Sequence, residues 1–261
     1  MDATERFAAL VRRPDDELRL DEASLLVAAH AHRGLDVSEG LAELDRIAEG
    51  CPAPAVDPLL RHLFVDLGFS GDRIGYDDPR NSLLSDVLQR RLGIPITLGV
   101  VAMEVGRRLG LTLEGVGMPG HFLLRHGLDP DRFIDPFSGG VTLDRDGCEA
   151  LFRAAAQPDA TFRPGFLEPV RNRAVIARIL ANLKRSYAMR RDLTNLSWVL
   201  RLRAAVPGVP PTERRALAKV LAASGRFVDA ASEFEALAGS EEGEQATRDR
   251  AAASRLRARL N

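Results

Sequence analysis

Cysteine is almost absent from these 261 residues: Cys51 and Cys148 are the only two, they lie far apart, and neither sits in a Cys-x-x-Cys or Cys/His grouping. That leaves no disulfide framework and no zinc-ligand spacing, and it suits a reducing compartment. An excess of one charge is missing too. Thirty-six basic residues face 37 acidic ones, for a formal charge of −1, so no global field draws nucleic acid or an anionic membrane. Nowhere do about 18 apolar residues run unbroken, the length a membrane span needs. The charged opening Met1-Asp2-Ala3-Thr4-Glu5-Arg6 begins no apolar segment. The chain reads as soluble, unexported and cytoplasmic, with no cofactor or metal motif and with neither nucleic acid nor membrane as a partner.

What the sequence does hold is apolar content, 45% of residues. That fills one large core or two modest ones, and single cores rarely grow past about 250 residues. Two domains are expected, 1–160 and 166–261, joined by the proline-containing stretch from Gln157 to Pro169. Between 16 and 49, apolar positions recur at helical spacing in two amphipathic segments, and Cys51-Pro52-Ala53-Pro54 ends the second. Leu59, Leu60, Leu63, Phe64 and Leu67 mark a third helix that stops at Gly68. A helix follows, with Ser82, Leu83, Leu84, Val87 and Leu88 on its apolar face, and closes at Arg90-Arg91. The next, from about Pro95 to Leu109, is apolar almost all round and is expected to be buried at the centre, capped by Gly110.

The period then changes to that of strands at Leu113–Val116, Phe122–Arg125 and Arg132–Asp135, which predicts a small antiparallel sheet and an α+β class. From Phe166 onward the pattern is helical again: one helix through Val175, Ile179, Leu183 and Tyr187, one through Leu196 and Leu200, then Arg214–Ala223 and Val228–Leu237. The last run, Arg248 to Arg259, mixes alanine with arginine and reads as a solvated helix, with no interleaved aromatics to stack on bases.

The densest polar constellation is Pro119-Gly120-His121-Phe122-Leu123-Leu124-Arg125 followed by Phe133-Ile134-Asp135-Pro136. If these are neighbouring strands joined near Leu128, residues whose numbers sum to about 256 or 257 lie opposite. His121 then faces Asp135 or Pro136. A carboxylate on one imidazole nitrogen fixes the tautomer and leaves the other nitrogen as a base; the same contact can also serve structure alone. A base needs a nucleophile, expected at the start of the buried helix, where backbone amides and the helix dipole stabilise a thiolate. There the chain reads Gly93-Ile94-Pro95-Ile96-Thr97-Leu98-Gly99, with no cysteine and with Thr97 as the sole hydroxyl. Thr97 is either the attacking group or a local cap; Cys148, arriving from a later segment, is either a thiol for the same purpose or a small buried apolar residue. The loop residues Asp77, Asp78, Arg80 and Asn81 look too polar for a core, so they are expected to form a binding edge beside His121, with Asn81 capping the next helix.

Four blocks in order carry a resemblance: Tyr76-Asp77-Asp78-Pro79-Arg80-Asn81-Ser82, Arg90-Arg91-Leu92-Gly93-Ile94-Pro95-Ile96-Thr97-Leu98, Gly115-Val116-Gly117-Met118-Pro119-Gly120-His121-Phe122-Leu123 and Ile134-Asp135-Pro136-Phe137-Ser138-Gly139-Gly140. They resemble the central segments of the SirB family, which is placed in the transglutaminase-like superfamily with its papain-like core. The resemblance implies that His121 and Asp135 match the histidine and aspartate of a Cys-His-Asp triad. It also implies that the cysteine's place falls at about Pro95, whose ring can neither attack a carbonyl nor be activated by His121. In the tail, Leu217, Leu221, Gly225, Phe227, Ala230, Ala231 and Phe234 resemble the stacking positions of tetratricopeptide helices. The function implied is a module that binds a protein or peptide without catalysis. The alternative is a hydrolase or acyltransferase that uses the His121/Asp135 pair with a non-standard nucleophile.

Overall fold

The computed structural model describes residues 2–155 and 160–259. By density of contacts they form two compact units: Arg13–Ile179, and Asp2–Arg12 together with the chain from Leu180 onward. The division falls inside a helix and not in the 157–169 stretch.

The chain opens with α1 (Ala3–Leu10), whose Asp2 and Glu5 form a reciprocal capping box. The first large unit then runs through α2 (Leu20–Ala31), α3 (Val37–Glu49) and α4 (Val56–Arg61), which continues as a π turn to Asp66 and ends at the left-handed Gly68. Two short parallel strands, β1 (Ser70–Gly71) and β2 (Leu92–Gly93), bracket α5 (Leu84–Arg90). The central helix is α6 (Pro95–Arg108), with Pro95 in its first turn and every residue from Pro95 to Gly106 buried. α2, α3, α4 and α5 all pack against it.

Behind α6 lies a four-stranded antiparallel meander of β3 (Leu113–Val116), β4 (Leu123–His126), β5 (Asp129–Asp135) and β6 (Val141–Leu143). Its side chains alternate as pleating requires. Phe122 and Leu124 reach toward α6, where a Cβ on Gly99 would lie 2.7 Å from the Phe122 ring and one on Gly115 2.6 Å from it. These two glycines therefore form the slot that the phenyl ring fills. On the other face, Val116, Leu123 and Phe133 share a core cluster with Cys148 and Phe152 of α7 (Arg145–Ala155).

The stretch expected as a linker is part of this core. Residues 157–159 lie outside the described residues, but Pro164–Leu167 forms a 3-10 turn, Leu167 joins the cluster, and Phe162 and Phe166 pack against it. The Val170 N–H donates to the Gly115 carbonyl at 2.7 Å. Prolines dominate the appearance of this segment in the sequence, whereas its phenylalanines decide where it goes.

α8 (Asn172–Met189) crosses from the first unit into the second. The second unit continues with α9 (Leu193–Ala205), α10 (Pro211–Ala223), α11 (Phe227–Ser240) and α12 (Glu244–Ala258), each packed on the next, while α1 packs on α9. Small buried residues, Ala218, Ala230, Ala231 and Ala253, allow the close approach. The last helix is not the solvated one expected: Ala246, Ala253 and Leu256 are buried, and buried Asp249 accepts a bond from Arg215 at 2.9 Å.

Candidate functional site

The loop before α5 is built around one fully buried side chain. Asn81 donates to the Asp72 carboxylate (3.0 Å) and the Gly75 carbonyl (2.7 Å) and accepts from Arg90 Nη1 (2.9 Å). The expectation that Asn81 caps α5 is thus corrected. The N-cap position of α5 is Leu83, with no side-chain bond, and Asp78 caps the 3-10 turn Pro79–Ser82 by accepting from the Arg80 N–H at 2.9 Å. Asn81 looked too polar for a core, but its three partners satisfy it there. Asp78 and Arg80 pair with each other at 2.6 Å, which holds the Asp78 carboxyl below the usual range. Asp77 lies on the exposed part of the loop. With two charged-group bonds lost inside the core, Asn81→Ala should destabilise the protein by roughly 3 kcal/mol, well above the cost of a lost cap. Urea unfolding measures it, and a loss under about 1 kcal/mol would contradict this role.

His121 lies just before β4, not within it. The observed pairs Leu124↔Ile134 and Arg125↔Phe133 sum to 258, and an irregularity at Arg125/His126 separates them from the turn. The hairpin arithmetic assumed an unbroken ladder, and this bulge shifts it; counted onward, Leu123 faces Asp135. His121 and Asp135 are still neighbours in charge, since Asp135 favours the imidazolium. Burial outweighs it, the Arg178 cation opposes it, and the His121 pKa falls below the ordinary value. No bond links the two side chains. Asp135 Oδ1 accepts instead from the N–H groups of Phe137 (2.9 Å) and Ser138 (3.2 Å), fixing the turn after β5. The Leu151 carbonyl of α7 acts on the imidazole, and its Nε2 is buried with no hydrogen-bond partner among the described residues.

The nucleophile candidates lie elsewhere. Thr97 Oγ1 is buried, donates to the Asn81 carbonyl at 2.6 Å and accepts the Ile94 N–H at 3.2 Å, tying the loop to the first turn of α6. Cys148 is fully buried, and its thiol is pushed up to about 11 by burial first and then by Asp144 and Asp135. Pro95 stands at the head of α6.

Arg178, which the sequence reading passed over, sits beside His121. It donates to the His121 carbonyl at 2.7 Å and lies over the Phe122 ring, 5.8 Å from its centroid. The available signal was a cation on the α8 stretch Val175, Ile176, Ile179 and Leu180, all of them buried.

A buried central helix packed on an antiparallel meander is the arrangement expected of a transglutaminase-like domain. The model of the transglutaminase-like superfamily matches residues 27–181, and the chain belongs to that superfamily. Among individual proteins it is similar to a UPF0162 protein of Xylella fastidiosa, 45% identical over 132 residues, covering 49% of this chain and 47% of that protein. A UPF0162 protein of Vibrio cholerae is 36% identical over 145 residues, covering 55% of this chain and 53% of that protein. The chain thus spans about half the length of these curated relatives. Mouse F-box only protein 21 is 40% identical over 98 residues, 34% of this chain and 16% of that protein. No helix among the described residues is long and apolar enough to cross a membrane.

Proposed function

We propose that this chain is a SirB-like, non-catalytic module of the transglutaminase fold, cytoplasmic, which binds a protein or peptide at the surface around His121. Its tetratricopeptide-like helical tail supplies a further recognition surface. The observation that carries the reading is Pro95 at the head of α6, where acyl transfer by a thiol would need a cysteine. The bonds of Thr97 and the burial of Cys148 support it, since neither offers a free attacking atom. A related segment forming 16% of the mouse F-box protein fits a module that serves within larger proteins.

One observation favours the enzyme reading, a hydrolase or acyltransferase: the unbonded His121 Nε2 near the Asp135 charge, which is the equipment of a general base acting on a bound water. The two readings part in one experiment. The full chain is incubated with a glutamine-containing protein and a fluorescent primary amine, and labelled chain is applied to a peptide array. The module reading expects discrete peptides bound, weaker binding by His121→Ala, and neither product nor covalent adduct by mass spectrometry. A product that disappears in His121→Ala would overturn it in favour of the enzyme.

A further inference from the structure

Five arginines drawn into this protein are matched by acids. Arg108 lies 2.9 Å from Asp21, Arg125 2.8 Å from Glu114, Arg90 3.5 Å from Asp72, Arg203 3.0 Å from Glu213 and Arg215 2.9 Å from Asp249. Arg178 differs from these five. It is half-buried and spends one N–H on the His121 carbonyl, and no carboxylate among the described residues lies within 4 Å. Burial without a counter-charge pulls its pKa below the usual arginine value, and the favourable influence on it comes from the exposed Tyr76. A guanidinium partly removed from water and lacking an anion is costly, and a ligand that brings one relieves that cost.

The surroundings say what kind of ligand. Tyr76 packs edge-on against Phe137 at 5.7 Å between centroids, and exposed Arg73 lies over the same ring at 5.1 Å, again with no carboxylate within 4 Å among the described residues. Arg73 over the Phe137 ring, and Arg178 within electrostatic reach of Tyr76, put two cations near one aromatic pair, which suits an apolar group joined to an anion. Gly117 lets the guanidinium come close to the backbone, since a Cβ there would meet Val170 Cγ1 at 3.0 Å and Arg178 Nη1 at 3.4 Å. Beside it, the imidazole Nε2 of His121 is buried without a partner among the described residues and is a further polar atom that a ligand could satisfy.

We propose that Arg178 is a binding residue for a peptide carboxylate, held by charge-assisted bonds, with Arg73 as a second cation and Tyr76 and Phe137 gripping the adjoining apolar side chain. The proposal rests on the binding-module reading and names the chemistry its partner must carry. The carboxylate comes either from a chain terminus or from an acidic side chain, and three probes distinguish the sources: acetyl-Gly-Phe with a free carboxylate, acetyl-Gly-Phe amide, and acetyl-Glu-Phe amide.

The full chain is titrated with each, following the His121 and arginine side-chain resonances by NMR. The free-carboxylate or the glutamyl peptide is expected to bind at least ten-fold tighter than the plain amide, and whichever does so names the source. Arg178→Gln should abolish that preference, Arg178→Lys should retain part of it, and Arg73→Gln should weaken it several-fold. Thermal melting confirms that each variant is folded, and Arg73→Gln, at an exposed position, carries the test should Arg178→Gln unfold. Equal affinity for all three peptides, binding to none, or a carboxylate preference that survives Arg178→Gln would overturn the proposal. Failure of the module reading looks different: it appears as a covalent or turned-over product, whatever the charge of the peptide.

Discussion

Asp21→Asn is expected to destabilise the first unit by about 3–5 kcal/mol, the range for removing one charge from a buried ion network. Asp21 has no exposed surface and receives Arg19 at 2.8 Å, Arg108 at 2.9 Å and Arg107 at 3.3 Å, so α2 is fastened to the end of α6 through one carboxylate. Asparagine keeps the shape but leaves the guanidinium groups short of a counter-charge. Burial alone would raise the Asp21 pKa, yet the bonds from Arg19, the Glu22 N–H and Arg108 bring it down to about 2. The folded value lies below the unfolded one, so this carboxylate contributes its stability in full above the unfolded value of 3.8 and loses it as the pH falls toward about 2. Glu104 works in the opposite sense. Burial and the Asp21 charge raise its pKa, so its contribution is greatest below its unfolded value and declines as the pH rises through the folded one. Urea unfolding of wild type and Asp21→Asn between about pH 2 and pH 7 should show a difference that is largest near neutrality and shrinks in acid. A variant within about 1 kcal/mol of wild type at neutral pH would mean that Glu104, 2.8 Å from Arg107, and Asp45, 2.5 Å from Arg108, suffice for the arginines.

The helices around α6 were legible because periodicity and punctuation agreed. Pro95 and Gly110 bracket an apolar run, and the helix found, Pro95–Arg108, lies within that frame. The strands β3, β4 and β5 were legible for the same reason. α7, β6 and the short pair β1 and β2 were not anticipated. Asp144 accepting the Gly147 N–H at 2.8 Å, followed by Cys148, Leu151 and Phe152 at helical spacing, is a helix start whose signal was present but short and interrupted by glycine. α1 carries the Asp-x-x-Glu signature of a capping box, but its eight residues are too few for periodicity to mark a helix.

The candidate site was legible in its residues and not in its contacts. His121 and Asp135 come from the same meander, but register depends on a bulge that no pattern in the sequence announces. Asn81 was misjudged because burial of an amide depends on partners nine residues away on either side, Asp72 and Arg90. Arg178 was missed because its position beside His121 depends on how α8 meets the sheet, a tertiary fact that helical periodicity does not encode.

The central claim is that no activated thiol serves this site, and alkylation of the native protein tests it most directly. Raising a thiol from 9.0 to about 11 removes about 99% of the thiolate that would exist at neutral pH, and the thiolate is the reacting form. Burial of the sulfur slows attack further. With iodoacetamide near neutral pH and peptide mapping to separate Cys148 from Cys51, Cys148 should react at least about 100-fold more slowly than a free thiol, at a rate unchanged in His121→Ala. Labelling of Cys148 faster than a free thiol, lost in His121→Ala, would reveal a thiol–imidazole pair and contradict the account.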